Sequence, residues 1–287
     1  MADPVTFVDQ PHLDRPSLIC AFRGWNDGGE AASTAAGYLV ERWQGRPLAY
    51  LDPEEFYDFQ VTRPTVRLEE GITRTVEWPR GVFSHASSSG HDAVVMIAAE
   101  PNVRWRTFCG AIVEAARALG SELLLTLGAF LTDVPHTRTV PVVGSGASDD
   151  AAALLGLSRS QYEGPTGITG VLHDAANRSG LRSVSLWAAV PHYLTAASNP
   201  KAALALVERA TSLLEMPVDT EPLAQAASRW EEEVGRLVEG SDELAEYVRR
   251  LESAADEAAS TGEPPVIPSG DSIAAEVERF LREQGRG

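Results

Sequence analysis

Four apolar runs in this 287-residue sequence each deliver polar or ionisable side chains where they end. The first is followed by Asn26 and Asp27, with Glu30 close behind; the second by Glu100 and Asn102; the third by Asp133, His136 and Arg138; the fourth by His192. An acid, an imidazole and a guanidinium brought to one point can transfer protons or hold a polar ligand. In open α/β sheets that point is the crevice at the carboxyl ends of the strands. The stretch LLLTLGAFLTDVPHTR, residues 123–138, shows the pattern most plainly, passing from a nearly unbroken apolar run into a polar loop. The competing expectation is that these side chains cap helices and satisfy loop amides.

The spacing carries no nucleophile or metal signature. There is no Gly-x-Ser-x-Gly elbow and no His-x-His, and Asp133-x-x-His136 alone does not specify a metal. No catalytic residue, metal or cofactor is therefore assigned. Lys201 is the only lysine, which argues against Walker-type phosphate loops and Schiff-base chemistry. It follows Asn199-Pro200, which read as an N-cap and a first helical position.

The runs that position these groups are SLICAF (17–22), AVVMIA (93–98), 123–131 and SVSLWAAV (183–190), each long enough for a strand buried on both faces. Helices are expected between them: one beginning near Glu30, one from about Arg104 to Leu119, one opened by Gly164, Gly167 and Gly170, and one from Pro200 to Leu214. Asp27 and Glu30 stand in capping-box spacing before the first. A further short helix is expected near Asp149, and short strands at 48–51 and 140–143. Strands alternating with helices predict an α/β three-layer sandwich, α/β/α, with a mostly parallel sheet. Residues 65–69 and 72–78 alternate about Glu70-Gly71 as a hairpin, which suggests an antiparallel admixture. Just before it, DPEEFYDF sets Phe56, Tyr57 and Phe59 among carboxylates. That composition suits a subunit interface, or a segment folded onto the domain's own edge.

After Met216-Pro217 the pattern changes. Leu223, Ala227, Trp230, Val234 and Leu237, then Leu244, Val248 and Leu251, predict a helical hairpin with a narrow seam. We divide the chain into an α/β domain at 1–217, the helical hairpin at 218–258, and a linker with a terminal amphipathic helix at 259–287. That last helix, 271–284, is expected to serve a partner or a neighbour rather than the core.

The net charge of −17 argues against nucleic acid or an anionic membrane as a partner. Cys20 and Cys109 lie in apolar contexts and read as core residues, not a disulfide. Neither a signal sequence nor an apolar run of about 18 residues is evident, so a cytoplasmic location is expected.

In combination, AFRGWNDGGEAAS, DPEEFYDFQVTRP, residues 100–105, LGAFLTDVPHTRTVPV, YEGPTGITGVL, AAVPHYL with NPKAAL, and PSGDSIAAE resemble the proteasome assembly chaperone family. The likeness is to its type-2-chaperone-like actinobacterial branch. The resemblance implies a sandwich distantly like nucleoside phosphorylases, a homo-oligomer, proteasome subunits as protein partners, and no established catalysis. Family members that dock on the proteasome ring end in a hydrophobic–Tyr–any tripeptide, whereas this chain ends Gln284-Gly285-Arg286-Gly287. Insertion of the tail into the ring is thus not expected, and another surface would have to bind. Two functions follow: a non-enzymatic interaction or assembly factor, or a small-molecule binder, hydrolase or transferase working at the carboxyl-edge cluster.

Overall fold

The apolar runs pair side by side because each needs cover on both faces. The computed structural model describes residues 4–69, 73–146, 158–159, 164–194 and 198–261. Its strands are β1 (Val5–Phe7), β2 (Ser17–Arg23), β3 (Arg46–Leu51), β4 (Thr65–Glu69), β5 (Thr73–Glu77), β6 (Gly81–Ser88), β7 (His91–Ala99), β8 (Leu123–Thr132), β9 (Val142–Gly146), β10 (Ser158–Arg159) and β11 (Arg182–Pro191). The helices are α1 (Ala31–Arg42), α2 (Trp105–Ala118), α3 (Ile168–Arg178), α4 (Pro200–Leu214), α5 (Glu221–Glu239) and α6 (Asp242–Thr261).

Nine strands form one sheet in the order β1-β3-β6-β7-β2-β8-β11-β9-β10. Its centre, β7-β2-β8-β11, is parallel, in register from Ser17 beside Ala93 and Leu123 to Pro191 beside Thr132. The four carboxyl ends therefore align on one edge. The flanking pairs β1–β3, β3–β6, β6–β7 and β11–β9 are antiparallel, and the outermost pair β9–β10 is parallel. The predicted hairpin is present, but β4 and β5 form a separate two-stranded sheet, with the turn between them outside the described residues. The antiparallel admixture comes instead from the sheet's margins, including β6, whose run GVFSHASS has no clean alternation to mark it.

Side chains alternate across the central strands. Ile19, Ala21, Leu125, Leu127, Ala129, Val184 and Leu186 face α1 and α4. Leu18, Cys20, Phe22 and Leu124 face α2 and α3. Covering both faces explains the unbroken apolar runs. Gly128 is required by its cross-strand neighbour: a Cβ there would stand 2.5 Å from Trp187 Cε3. Cys20 and Cys109 are buried and free, and burial raises the pKa of both, Cys109 to about 12.

Helices α5 and α6 form the expected antiparallel pair. Trp230, Val234, Val238 and Val248 make a small core that also takes Tyr193 and Leu194 from the end of β11. Leu237 is not in the seam: it is 64% exposed, and Val238 is buried in its place. Buried positions at 223, 227, 230, 234 and 238 follow the 3.6-residue period of a straight helix, not a sustained heptad. The helix expected near Asp149 and the terminal segment from 262 onward lie outside the described residues.

Candidate functional site

Two groups of side chains occupy the carboxyl edge. The first begins at the β2–α1 turn. Asp27 Oδ1 accepts the backbone N–H groups of Ala32 at 2.8 Å and Ser33 at 3.1 Å, capping α1 with one carboxylate. Burial raises the Asp27 pKa, opposed by the bonds from Ser33 and Ala32. The capping box is not completed. Glu30 is exposed with φ 52°, and it meets Asp27 through its backbone N–H donating to the Asp27 carbonyl. Next to it, Asn26 is fully buried and Nδ2 donates to Glu100 Oε1 at 2.9 Å. The same oxygen accepts the Ile168 N–H at the start of α3, and Asn26 Oδ1 accepts from Thr169 Oγ1. Asn26 O also accepts the Ala129 N–H. Gly167 is needed here because a Cβ would collide with the Asn26 amide.

The second group lies beyond β8 and β11. His192 Nδ1 is 2.9 Å from Asp133 Oδ1, which also accepts from Tyr247 OH on α6 at 3.0 Å. His136 is buried, with its backbone N–H and Nδ1 both on Tyr193 OH, at 2.9 and 2.8 Å. Desolvation lowers the His136 pKa and raises that of Tyr193 to about 12. Arg138 forms a fork on Asp256 of α6, at 2.7 and 2.9 Å, and reaches Glu252 at 3.3 Å. Lys201 Nζ donates to the His136 carbonyl and to Glu231 Oε2.

Asn26, Asp27, Glu100, Asp133, His136, Arg138 and His192 are thus on the edge where they were sought, but as two separate constellations. A chain of bonds runs between them: the Asn199 N–H donates to the Gly29 carbonyl, Asn199 Oδ1 caps Ala202, and Lys201 holds His136 O. Asn102 belongs to neither group. It accepts from the Asp58 N–H and Thr62 Oγ1 and so fastens the 56–62 loop. The sequence offered no sign that Tyr247, Glu252 and Asp256 would complete the second group, since α6 contacts it from more than a hundred residues away; Tyr193, which directly follows His192, completes it at His136.

The aromatic segment also resolves differently from an interface. Phe56 is 0% exposed and Tyr57 is buried; Phe56 packs edge-on against Phe108 at 5.3 Å. Tyr57 OH donates to the Ala99 carbonyl. Both belong to the core facing α2, so they cannot also form a subunit contact. Phe59 is half-buried against Trp78, at 4.9 Å.

Chemically, the edge is a set of internal fastenings. The Glu100 and Asp27 carboxylates are occupied by amides, and Arg138 is held by carboxylates of α6. Among the described residues no group of three His, Cys, Asp or Glu side chains is placed to hold a metal ion.

Comparison with known proteins agrees with this fold. The profile of the PAC2 family matches residues 21–238. A PAC2 family protein from Streptomyces avermitilis is 45% identical, with a TM-score of 0.76, over 81% of this chain and 99% of that one. A Mycobacterium tuberculosis proteasome-assembly chaperone homologue is 43% identical, with a TM-score of 0.73 over the same shares. A second M. tuberculosis protein, of unknown function, is 25% identical with a TM-score of 0.81, covering 92% of each chain. No curated protein matches the sequence.

Proposed function

The chain belongs to the PAC2 family, and from that membership we propose that it is a cytoplasmic, non-enzymatic protein-interaction factor of the proteasome-assembly-chaperone kind. The observation that carries this reading is the β4–β5 ribbon. Its register places Val66 opposite Val76 and Leu68 opposite Arg74 on one face, and its other face carries the Arg67–Glu77 ion pair. Val66, Leu68 and Val76 are 57%, 60% and 48% exposed, and Trp78 continues the apolar face at its base. A two-stranded ribbon is marginal alone in water, and an apolar face of this kind gains stability when a partner covers it.

A proteasome α-subunit is the occupant we assign to that face, because the family resemblance implies proteasome subunits as partners. The carboxyl edge supports the same reading, because its acids and cations are spent in fastening α1, α3 and α6. No helix among the described residues is long and apolar enough to cross a membrane. Self-association, which the family resemblance implies, would use this ribbon too, with Phe59 and Trp78 beside it and Phe56 and Tyr57 excluded.

The test is binding to purified α-subunits of the same cell, measured for the wild type and for Leu68→Asp, with light scattering in parallel. Loss of α-subunit binding at unchanged mass supports the assignment. A fall in mass with α-subunit binding retained would make the ribbon a self-association surface, and unchanged binding and mass would remove it from both roles.

A further inference from the structure

The arginines of the β4–β5 ribbon and its base are not equally engaged. On one face Arg67 Nε lies 2.6 Å from Glu77 Oε2. At the base the Arg80 guanidinium sits over the Tyr50 ring, 3.9 Å from its centroid. Arg74 belongs to the other face, where the register sets it opposite Leu68 and alongside the Val66–Val76 pair. It is exposed and has no carboxylate partner among the described residues.

A guanidinium set among aliphatic side chains constrains whatever covers them. A purely apolar cover would strip its water and leave its N–H donors unpaired. That penalty would offset much of what burying Val66, Leu68 and Val76 gains. A carboxylate removes the penalty, because its two oxygens match the planar fork in two parallel bonds. A polyanion fits poorly: this face carries one cation, Glu77 stands on the reverse side, and the whole chain has a net charge of −17.

We propose that the segment covering this ribbon is apolar and presents one aspartate or glutamate side chain, which forks onto Arg74. The proposal rests on the ribbon as the binding face and adds the chemistry of its occupant. The aliphatic side chains supply buried area, while Arg74 fixes the register and rejects apolar segments that lack the acid.

The test uses the full chain and purified proteasome α-subunits. Arg74→Glu sets like charge against the partner's acid and is expected to weaken binding by about tenfold or more. Arg236→Glu makes the same charge change on the exposed side of α5 and should leave binding unchanged. Arg74→Lys puts an amine where the acid should lie, in a chain whose only lysine, Lys201, is held by Glu231. Carbodiimide is expected to join position 74 of that variant to an Asp or Glu of the α-subunit, as located by peptide mass spectrometry. Both the loss in Arg74→Glu and the cross-link are required. If either is missing while Leu68→Asp still impairs binding, the proposal is overturned and the ribbon remains the binding face. Arg74 then only guards the ribbon against pairing with other chains. If Leu68→Asp binds as wild type does, or the wild type does not bind, the ribbon reading falls and this proposal with it.

Discussion

Asn26 Nδ2 donates to Glu100 Oε1 at 2.9 Å, and this bond ties the end of β2 to the end of β7. Since the same oxygen holds the first amide of α3, one carboxylate organises three elements. Removing it leaves two buried donors without a partner, which costs about 1–3 kcal/mol each at the upper limit. Glu100→Ala is therefore expected to lower unfolding free energy by about 2–3 kcal/mol, and Glu100→Gln, which keeps an acceptor in place, by under about 1 kcal/mol. Urea titration measures both. Equal, negligible losses would mean that Glu100 is not a structural acceptor and reopen a ligand role.

Much of this edge was legible in the sequence because parallel strands bring their carboxyl ends together. Asn26, Glu100, Asp133 and His136 could be placed from the ends of three apolar runs, and His192 from the end of a fourth. What the sequence could not show was division into two constellations. That depends on α3 and α6 approaching from distant positions, with Ile168 and Tyr247 supplying partners. DPEEFYDF was ambiguous for a different reason: carboxylates at 54, 55 and 58 are exposed on a segment whose Phe56 and Tyr57 turn inward. No fixed period marks such a loop. Leu237 was misplaced because heptad and 3.6-residue patterns differ by only one position over this span.

Gly128 should tolerate no side chain. A Cβ there would meet the Trp187 ring at 2.5 Å, and the ring sits in register on the adjacent strand. Gly128→Ala is expected to destabilise by about 1–3 kcal/mol through overpacking. Trp187→Leu should restore part of that loss, and thermal unfolding of the single and double variants gives the coupling.

His173 makes acid stability testable. Its Nε2 lies 2.9 Å from Thr126 Oγ1, and burial lowers its pKa to about 4 from the ordinary 6.5. The fold thus favours the neutral ring. Its contribution is complete above about pH 6.5 and is lost as pH falls towards 4, because the unfolded chain binds the proton first. The shift corresponds to about 3 kcal/mol at most. His173→Gln should flatten the stability profile between pH 6.5 and 4 relative to wild type; identical slopes would show that the histidine is not the titrating group.

The docking of α6 depends on charge. Arg138 grips Asp256 and Glu252, lowering the Asp256 pKa, while Tyr247 reaches Asp133. Arg138→Gln is expected to speed hydrogen exchange in α6 while leaving that of β8 and β11 unchanged. Salt at about 0.5 M should mimic the variant, since exposed pairs are screened. Uniform acceleration across the protein would show that the contact supports the whole fold rather than the docking of one helix.

Phe56 and Leu68 separate core from surface. Phe56 is fully buried and stacked edge-on against Phe108, so Phe56→Ala should cost about 3–5 kcal/mol by opening a cavity. Leu68 is 60% exposed on a ribbon detached from the main sheet. Leu68→Asp is expected to change unfolding free energy by less than about 0.5 kcal/mol, as for surface substitutions generally. Its effect should appear only when a partner is present. Chemical denaturation of both variants, with partner binding measured for Leu68→Asp, checks the contrast. A large loss of stability in Leu68→Asp would show that the monomer already buries this face, and the ribbon would no longer serve as the binding surface.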